Sequence, residues 1–541
     1  MSKKRWEILT KNSRKDILTL LLENRGLKTK KAQEEFLHPQ NPKDIALPDL
    51  GLKKETLQKA VKRIKKAISQ KEKIIVYGDY DADGICATAI LWEALYQLGS
   101  DALPYIPERI SEGYGLSVKS IQNLKSQFPN LKLIITVDNG IVAYKAVKKA
   151  NELGVDVIIT DHHAKSEKLP PAQIIIHTTK IGGAGLAWFL ARELGISDSL
   201  ELAAMGTISD MIPLLGPNRS LVKYGLEALR QTQNKGLLEM FKEAGLVQEK
   251  LGTYEVGYIL APRINAMGRL KHAMDSLRLL CTRSQVKAEE LAFELASTNH
   301  ERQKKVEEVL THAKSQVAGV SFAGPIIVAH ESYHEGVIGL AAAGLVEEFY
   351  RPAIVFTKGE IYAKASARSI PGFDIIAAIR QLSEFLVAGG GHPMAAGFTI
   401  KTQKLEEFTL KFNEISAPFL TDEVLAKKLK IDLEINFSEL NQELFKKLSM
   451  FEPTGYGNPA PTFASSRVEV LEARTVGSDH KHLKLYLRQG SKDFPAIAFG
   501  LGYLSPKLSA DKTVNIAYNL DENIWQGKKS LQLKIKDIKY G

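Results

Sequence analysis

Three carboxylates crowd one short stretch of this chain, Asp79-Tyr80-Asp81-Ala82-Asp83-Gly84, directly after the apolar run KIIVYG. Negative charges that close repel one another, so the arrangement persists only if a cation neutralises it or the carboxyl pKa values rise. Alternate spacing would aim all three to one side while the backbone stays extended. An Asp-rich turn also caps helices, and Asp83 could be such a cap. A calcium loop is a weaker alternative, because the downstream glutamate it needs is missing. Three further clusters bear on the choice: Thr136-Val137-Asp138-Asn139-Gly140, Thr160-Asp161-His162-His163 and Gly206-Thr207-Ile208-Ser209-Asp210. Singly, Asp138 reads as a turn residue, His162 as a hydrogen-bonded core histidine and Asp210 as a cap. Together they supply the carboxylate and imidazole mixture that suits hard-to-borderline divalent ions. Two such ions about 3.5–4 Å apart activate water and clamp a phosphoryl oxygen. The chemistry expected is hydrolysis of a phosphate ester or anhydride.

The elements that must position these groups follow from apolar periodicity. Residues 54–70 place Leu57, Val61, Ile64 and Ile68 at helical spacing among lysines. KIIVYG, LKLIITVDNG and VDVIITDHH read as buried strands separated by helices, and each ends in an acidic or histidine cluster. That alternation predicts a parallel sheet covered on both faces, with ligands bound beyond the carboxyl ends of its strands. Residues 220–315 read as almost wholly helical. A second α/β region runs from GPIIVAH at 324–330 to about Ala417, and alternating strands after Asp422 suggest a small β-barrel.

Composition sets outer bounds. At 541 residues, 44% hydrophobic and 25% charged, the chain is an ordinary multi-domain protein. No apolar run approaches the roughly 20 residues that span a bilayer. Cys86 and Cys281 are the only cysteines, which excludes a disulfide framework and a cysteine-rich zinc site and fits a reducing cytoplasm. Of the +11 formal charge, almost all lies in residues 1–72, with 19 basic and nine acidic side chains. This stretch is either a solvated helical face or a basic lip that draws in a polyanion.

The four motifs DYDADG, VDNG, DHH and ISD, in this order, resemble those of the DHH phosphoesterase family. The resemblance implies metal ligation by Asp81, Asp83, Asp138, His162 and Asp210, with Asp79 as a further ligand or support. It implies Mn²⁺, or Mg²⁺ in its place, as a pair of ions. His163 would help position or protonate the phosphoryl group. Ala261-Pro262-Arg263-Ile264-Asn265-Ala266-Met267-Gly268-Arg269 is similar to the PRINAAGR signature of RecJ-type nucleases, with Met267 in place of an alanine. The arginine forks at 263 and 269 match phosphate geometry, although as salt-bridging residues in a helix-linking turn they would look the same. His334-Glu335-Gly336-Val337-Ile338-Gly339, Ser366-Ala367-Arg368-Ser369 and Gly389-Gly390-Gly391-His392-Pro393 resemble a DHHA1 domain. The glycine-rich segment reads as a loop whose backbone N–H groups approach phosphate, or simply as a tight turn. Substrate contacts are thus expected from Arg263, Asn265, Arg269, His334, Ser366, Arg368, Gly390, Gly391 and His392. Asp138, His163, Arg368 and His392 are expected to serve catalysis. Ala343-Gly344 departs from the serine–arginine pair usual in RecJ-like chains. Glu452-Pro453-Thr454-Gly455-Tyr456-Gly457-Asn458-Pro459 resembles the start of their oligonucleotide-binding (OB) domain.

The fold expected is therefore α/β, a parallel-sheet DHH domain joined by helices to an α/β DHHA1 domain, plus a C-terminal OB-like β-barrel. The expected partition is a basic helical extension over 1–50, the DHH domain over 51–218, a helical connector over 219–318, DHHA1 over 319–420 and the OB domain over 421–541. The activity implied is 5′→3′ hydrolysis of single-stranded DNA to 5′-mononucleotides in recombination and repair. A helicase and a single-strand-binding protein are the implied partners, in the cytoplasm and without a membrane. The rival readings are an oligoribonuclease or cyclic-dinucleotide phosphodiesterase of the same family, and a non-catalytic single-strand-binding replication factor. The intact acidic motifs argue against the last, and the C-terminal barrel against the first two.

Overall fold

The computed structural model describes residues 4–10, 15–109, 111–317, 324–508, 512–525 and 528–540. The chain divides into two compact units, each made of segments distant in sequence. One comprises 27–300 and 450–460, the other 1–26, 301–449 and 461–541.

The first unit is built on a parallel sheet. Among the described residues its strand order is Ala102–Tyr105, Lys73–Tyr77, Leu131–Val137, Asp156–Asp161, Ile174–His177, and every neighbouring pair is parallel. The central strands are apolar at every inward position because both faces are covered. Ile74, Val76, Leu133, Ile135 and Ile158 face a cluster with the helices Lys54–Ser69, Ala82–Gln97 and Gly183–Leu194. Ile75, Tyr77, Ile134 and Ile159 face a second cluster with Ile121, Leu124, Ala146, Val147 and Ala150. Helix Lys54–Ser69 buries Leu57, Ala60, Ile64 and Ala67, while Val61 and Ile68 from the expected stripe lie at its margin. Helix Ala82–Gln97 is buried along most of its length, as its apolar composition on all sides requires. The region expected to be helical is so, in Gly216–Leu229, Lys235–Glu243, Thr253–Leu270, Met274–Cys281 and Gln285–Val317.

The second unit holds a mixed sheet and a barrel. The mixed sheet is ordered Leu386–His392, Ala395–Lys401, Tyr362–Arg368, Ala353–Lys358, Ile326–His330, with only the last pair parallel. Phe356, Phe398, Phe408 and Phe412 anchor its core. The barrel closes through Phe463–Val476, His482–Gln489, Lys492–Ala498, Lys528–Tyr540 and Lys512–Trp525, the last pairing back to the first.

Two expectations about the chain's course are corrected. The N-terminal stretch does not begin as a helical extension: Arg5–Thr10 is a strand, parallel to Lys428–Glu434, which in turn joins the barrel at Phe463. The alternation of Trp6 and Ile8 gives it an apolar edge that packs on Ile431, Ala464 and Ala517. The segment 450–460, read as the start of the barrel, belongs instead to the parallel-sheet unit. The buried Arg219 explains this. Its guanidinium donates to the carbonyls of Phe36, Met450, Phe451, Glu452 and Pro453 and lies 4.0 Å from the Phe36 ring. The boundary expected at 318/319 falls outside the described residues. Among the described residues no helix is long and apolar enough to cross a membrane.

Candidate metal centre and substrate face

Each acidic motif sits where a buried strand or helix ends. Asp79 follows strand Lys73–Tyr77 and accepts the Tyr80 N–H at 2.8 Å. Asp81 caps helix Ala82–Gln97 by accepting the Gly84 N–H at 3.0 Å. Because the helix starts at Ala82, the three carboxylates do not fan to one side as an extended chain would place them. Asp83 turns away and accepts the N–H groups of Gly183 and Ala184 at 2.7 and 2.9 Å. It therefore caps a helix, Gly183–Leu194, but not the one that follows it in sequence. Asp138 has φ +62° and is held by its own N–H on the Thr160 carbonyl, while the Asn139 amide donates to the carbonyls of Tyr77 and Val137. Two glycines make room for these groups. A side-chain carbon on Gly183 would lie 2.5 Å from Asp138 Cβ, and one on Gly206 would overlap Asp83 Oδ1.

The geometry brings all six expected ligands together. Their donor atoms fall into three groups, each within 4.8 Å: Asp79, Asp81 and Asp138; Asp83, His162 and Asp210; Asp138, His162 and His163. His162 Nε2 lies 2.9 Å from Asp138 Oδ1, 3.6 Å from Asp210 Oδ2 and 3.9 Å from Asp83 Oδ2. Yet His162 Nε2 and Asp138 Oδ1 are both buried without a hydrogen-bond partner. Two lone-pair-bearing atoms that face each other without a proper hydrogen bond are costly, and a shared cation resolves the cost. Charge points the same way. Burial, then mutual repulsion, pushes Asp79 and Asp138 well above the usual carboxylate range, Asp83 up to about 7 and Asp210 up to about 8. Burial and the neighbouring His163 press His162 down to about 4, so its imidazole is neutral and can offer a lone pair. The donor set fits Mn²⁺ or Mg²⁺.

His163 differs from its neighbour. Its Nδ1 lies 2.8 Å from Asp161 Oδ1, and its N–H donates to the same oxygen. Burial opposes its charge, but the Asp161 contact and nearby carboxylates outweigh burial and raise it to about 9. Asp161 also accepts the Ile141 N–H, so it fixes the imidazole without being a ligand itself. Asp161 was missed as a functional residue although it stands inside the motif. Tyr114 and Arg109 were missed too. The Tyr114 hydroxyl is 3.3 Å from His163 Nε2, and Arg109 lies 5.1 Å from the Tyr80 ring beside the acidic turn. The available signal was the glycine pair around Tyr114, with φ of +81° and +70° at Gly113 and Gly115.

The arginine-bearing segment is helical, Ala261–Leu270, and not a turn. Asn265 is committed to the scaffold, since its Oδ1 accepts the Ala82 N–H at 2.8 Å and so steadies the acidic turn. Arg263 donates to the Ile259 carbonyl from a half-buried position. Arg269 lies on the last turn, where its charge is felt at Tyr80.

Of the remaining expected contacts, Ser366, Arg368, Gly390 and His392 share one sheet face in the other unit. Gly389–Gly391 are not a loop: they lie in the edge strand Leu386–His392, paired with Ala395–Lys401. Without side chains the run adopts extended pairing at its exposed edge and keeps its outward N–H groups open. Register then aligns His392 with Ala395 and Arg368, and Gly390 with Gly397 and Ser366. Directly opposed residues share a face, so Arg368, Ser366 and His392 rim a floor of glycine. Arg368 Nη1 donates to Ser366 Oγ at 3.1 Å. Gly339 packs beside both, and His334 Nδ1 accepts the Gly336 N–H at the start of that segment.

Known proteins share these domains and this fold. The RecJ OB domain family matches residues 431–537, the N-terminal domain of the DHH family 73–207 and the DHHA1 domain 305–417. The single-stranded-DNA-specific exonuclease RecJ of Bacillus subtilis is 36% identical over 99% of this chain and 71% of its own length. Crystal structures of RecJ from Thermus thermophilus in complex with Mn²⁺ and with Mg²⁺ superpose with TM-scores of 0.84 and 0.78. They are 29% and 28% identical, covering 99% of this chain and 80% and 78% of theirs. The chain belongs to the RecJ family of single-stranded-DNA-specific exonucleases.

Proposed function

We propose that the protein is a divalent-metal-dependent exonuclease that hydrolyses single-stranded DNA from its 5′ end to 5′-mononucleotides. The observation that carries this reading is the convergence of Asp79, Asp81, Asp83, Asp138, His162 and Asp210, with two buried lone pairs left facing each other. Asp138 and His162 are each common to two of the three groups, and with Asp79, Asp81, Asp83 and Asp210 they would hold the metal. When bound, Mn²⁺ or Mg²⁺ supplies Lewis acidity to the scissile phosphate and lowers the pKa of the attacking water. Asp161 holds His163 Nδ1, which leaves Nε2 to hold or deliver a proton at the phosphoryl group. Arg368, with His392 on the same row, binds phosphate oxygens, and Gly390 and Gly391 let the strand approach the backbone. Arg269 and Arg263 add positive charge on the side of the acidic turn.

In this reading residues 51–218 perform the hydrolysis, 219–318 connect, 319–420 bind phosphate, and 421–541 grip the strand, with 450–460 serving the catalytic unit. The basic stretch 1–72 steers the polyanion. A helicase and a single-strand-binding protein are the partners that would supply single strands in recombination and repair, in the cytoplasm.

The test uses Mn²⁺ with single strands of DNA or RNA carrying a label at either end. The reading expects a 5′ label to appear at once as a mononucleotide, a 3′ label to be released last, and blunt duplex to resist. Strands that are bound and shifted but never shortened, or RNA cut in preference to DNA, would overturn it.

A further inference from the structure

The catalytic unit carries a set of exposed aromatic side chains that the chemistry above does not use. Tyr254 and Tyr258 are 62% and 74% exposed, and their rings stack 5.0 Å apart at 27°. They lie on Thr253–Leu260, whose second half, Val256–Leu260, is a π-type turn running directly into Ala261–Leu270. Widened turns of this kind concentrate at functional sites. The same continuous helix reaches the neighbours of the metal centre twice. Asn265 holds the acidic turn, and Gly257 lies against Ile208, two residues before Asp210.

A third tyrosine joins them. Tyr456 is 57% exposed at the centre of Gly455-Tyr456-Gly457. This loop lies flush on Pro213-Leu214. The Leu214 N–H donates to the Tyr456 carbonyl at 2.8 Å, and a side-chain carbon on Gly457, φ +75°, would lie 2.7 Å from Pro213 Cβ. Met211, adjacent to Asp210, is 62% exposed with φ +53° in the same loop. The Thr253 hydroxyl donates to the Thr454 carbonyl at 2.7 Å, which ties the segment of Tyr254 and Tyr258 to the segment of Tyr456. Arg219, through the five carbonyls described above, fixes where that segment lies.

We infer that Tyr254, Tyr258 and Tyr456 form a stacking platform for the bases of the DNA strand whose phosphate is engaged at the metal centre. The inference rests on the single-strand reading above and extends it from phosphate to base. Every base offers a π-face, so tyrosines grip a strand without reading its sequence, and each stacked base contributes roughly five- to hundredfold in affinity. The hydroxyls keep the exposed rings compatible with water when no strand is present. The segments that carry the three rings are joined to the centre's neighbours through Asn265 and Gly257 and through the loop that follows Asp210, and the proposal lays the strand's neighbouring nucleotides across them.

The test pairs protein variants with altered strands. Full-length wild type, Tyr254→Ala/Tyr258→Ala and Tyr456→Ala are compared on oligodeoxythymidylate and on the same strand with abasic sites moved stepwise from the 5′ end. Binding is read by fluorescence anisotropy in EDTA, and KM and kcat are read with Mn²⁺. Base removal at the stacked register should weaken wild-type binding about tenfold. The alanine variants should show that loss already on the intact strand and no further loss on the abasic one, with the change falling on KM. Tyr→Phe variants should behave as wild type, which separates stacking from misfolding. Alanine variants that bind normally, or that stay as sensitive to base removal as wild type, would overturn the platform. Failure of the wild type to release any nucleotide would instead overturn the exonuclease reading, while the anisotropy measured in EDTA still decides the platform.

Discussion

The two candidate functional faces of this molecule are built on opposite principles. In the parallel-sheet unit, Asp79, Asp83 and Asp138 are no more than 2% exposed, and their positions are set by strand ends, helix N-termini and glycines that leave space for them. In the mixed sheet, Gly390, Gly391 and His392 are exposed, and strand register alone aligns them with Ser366 and Arg368. Mutually repelling charges need a rigid buried frame and a counter-ion. A surface that receives a polymer needs an open floor and one or two fixed charges. The first arrangement should tolerate almost no change, whereas the second should respond in graded steps.

The largest effect should come from Asp138, the carboxylate shared by two ligand groups. Asp138→Ala should lower kcat by about a thousandfold or more, since a metal contributes several kcal/mol of charge stabilisation. Strand binding measured by anisotropy should persist; metal-dependent turnover retained in this variant would break the contrast. On the other face, Arg368→Ala should cost about 10²–10³ in kcat/KM, the usual loss for one preorganised donor, and Arg368→Lys should recover only part of it. Gly390→Val adds a side chain where the fold has nothing within 4 Å, so melting should not change. KM should nevertheless rise roughly tenfold as the floor fills. The last effect is on stability and not on turnover. Saturating Mn²⁺ at a hundred times its Kd should add about 2.7 kcal/mol, a rise in Tm of roughly 5–10 °C that EDTA reverses. Asp138→Asn, tolerated at φ +62°, should melt above wild type in EDTA because one repelling charge is gone. It should also lose most of the Mn²⁺ shift. An equal or lower Tm in EDTA would show that repulsion is not what the cation relieves.

The metal centre was legible because it violates local expectation. An apolar strand that ends in Asp79, Asp138 or His162 places a charge or imidazole where burial disfavours it, and such an anomaly can be read one motif at a time. The helix stripe of Lys54–Ser69 was equally local. What escaped depends on partners remote in sequence. Arg5–Thr10 becomes a strand because Lys428–Glu434 offers it an edge, and a single Trp6/Ile8 alternation within six residues is too short a pattern to announce that. The Gly455-Tyr456-Gly457 segment reads as barrel by resemblance, yet Arg219 holds its neighbours in the other unit. Asn265 and the glycine run show a different limit. Residue type suggested phosphate contact, but one residue's hydrogen bond and the other's strand pairing emerge only in three dimensions. The helix capped by Asp83 likewise begins a hundred residues after it.

The Arg219 clamp has a consequence for how the molecule is made. A nascent chain that has completed the parallel sheet still lacks the carbonyls of residues 450–453, so until these leave the ribosome a guanidinium destined for the interior has only the Phe36 carbonyl of its five acceptors. Because domains generally assemble as they emerge, the acidic centre and the Asp210 loop should stay loosely organised through most of translation. The unit that carries the acidic motifs is thus nearly complete in sequence by residue 300, yet it closes only when a segment 150 residues further on arrives.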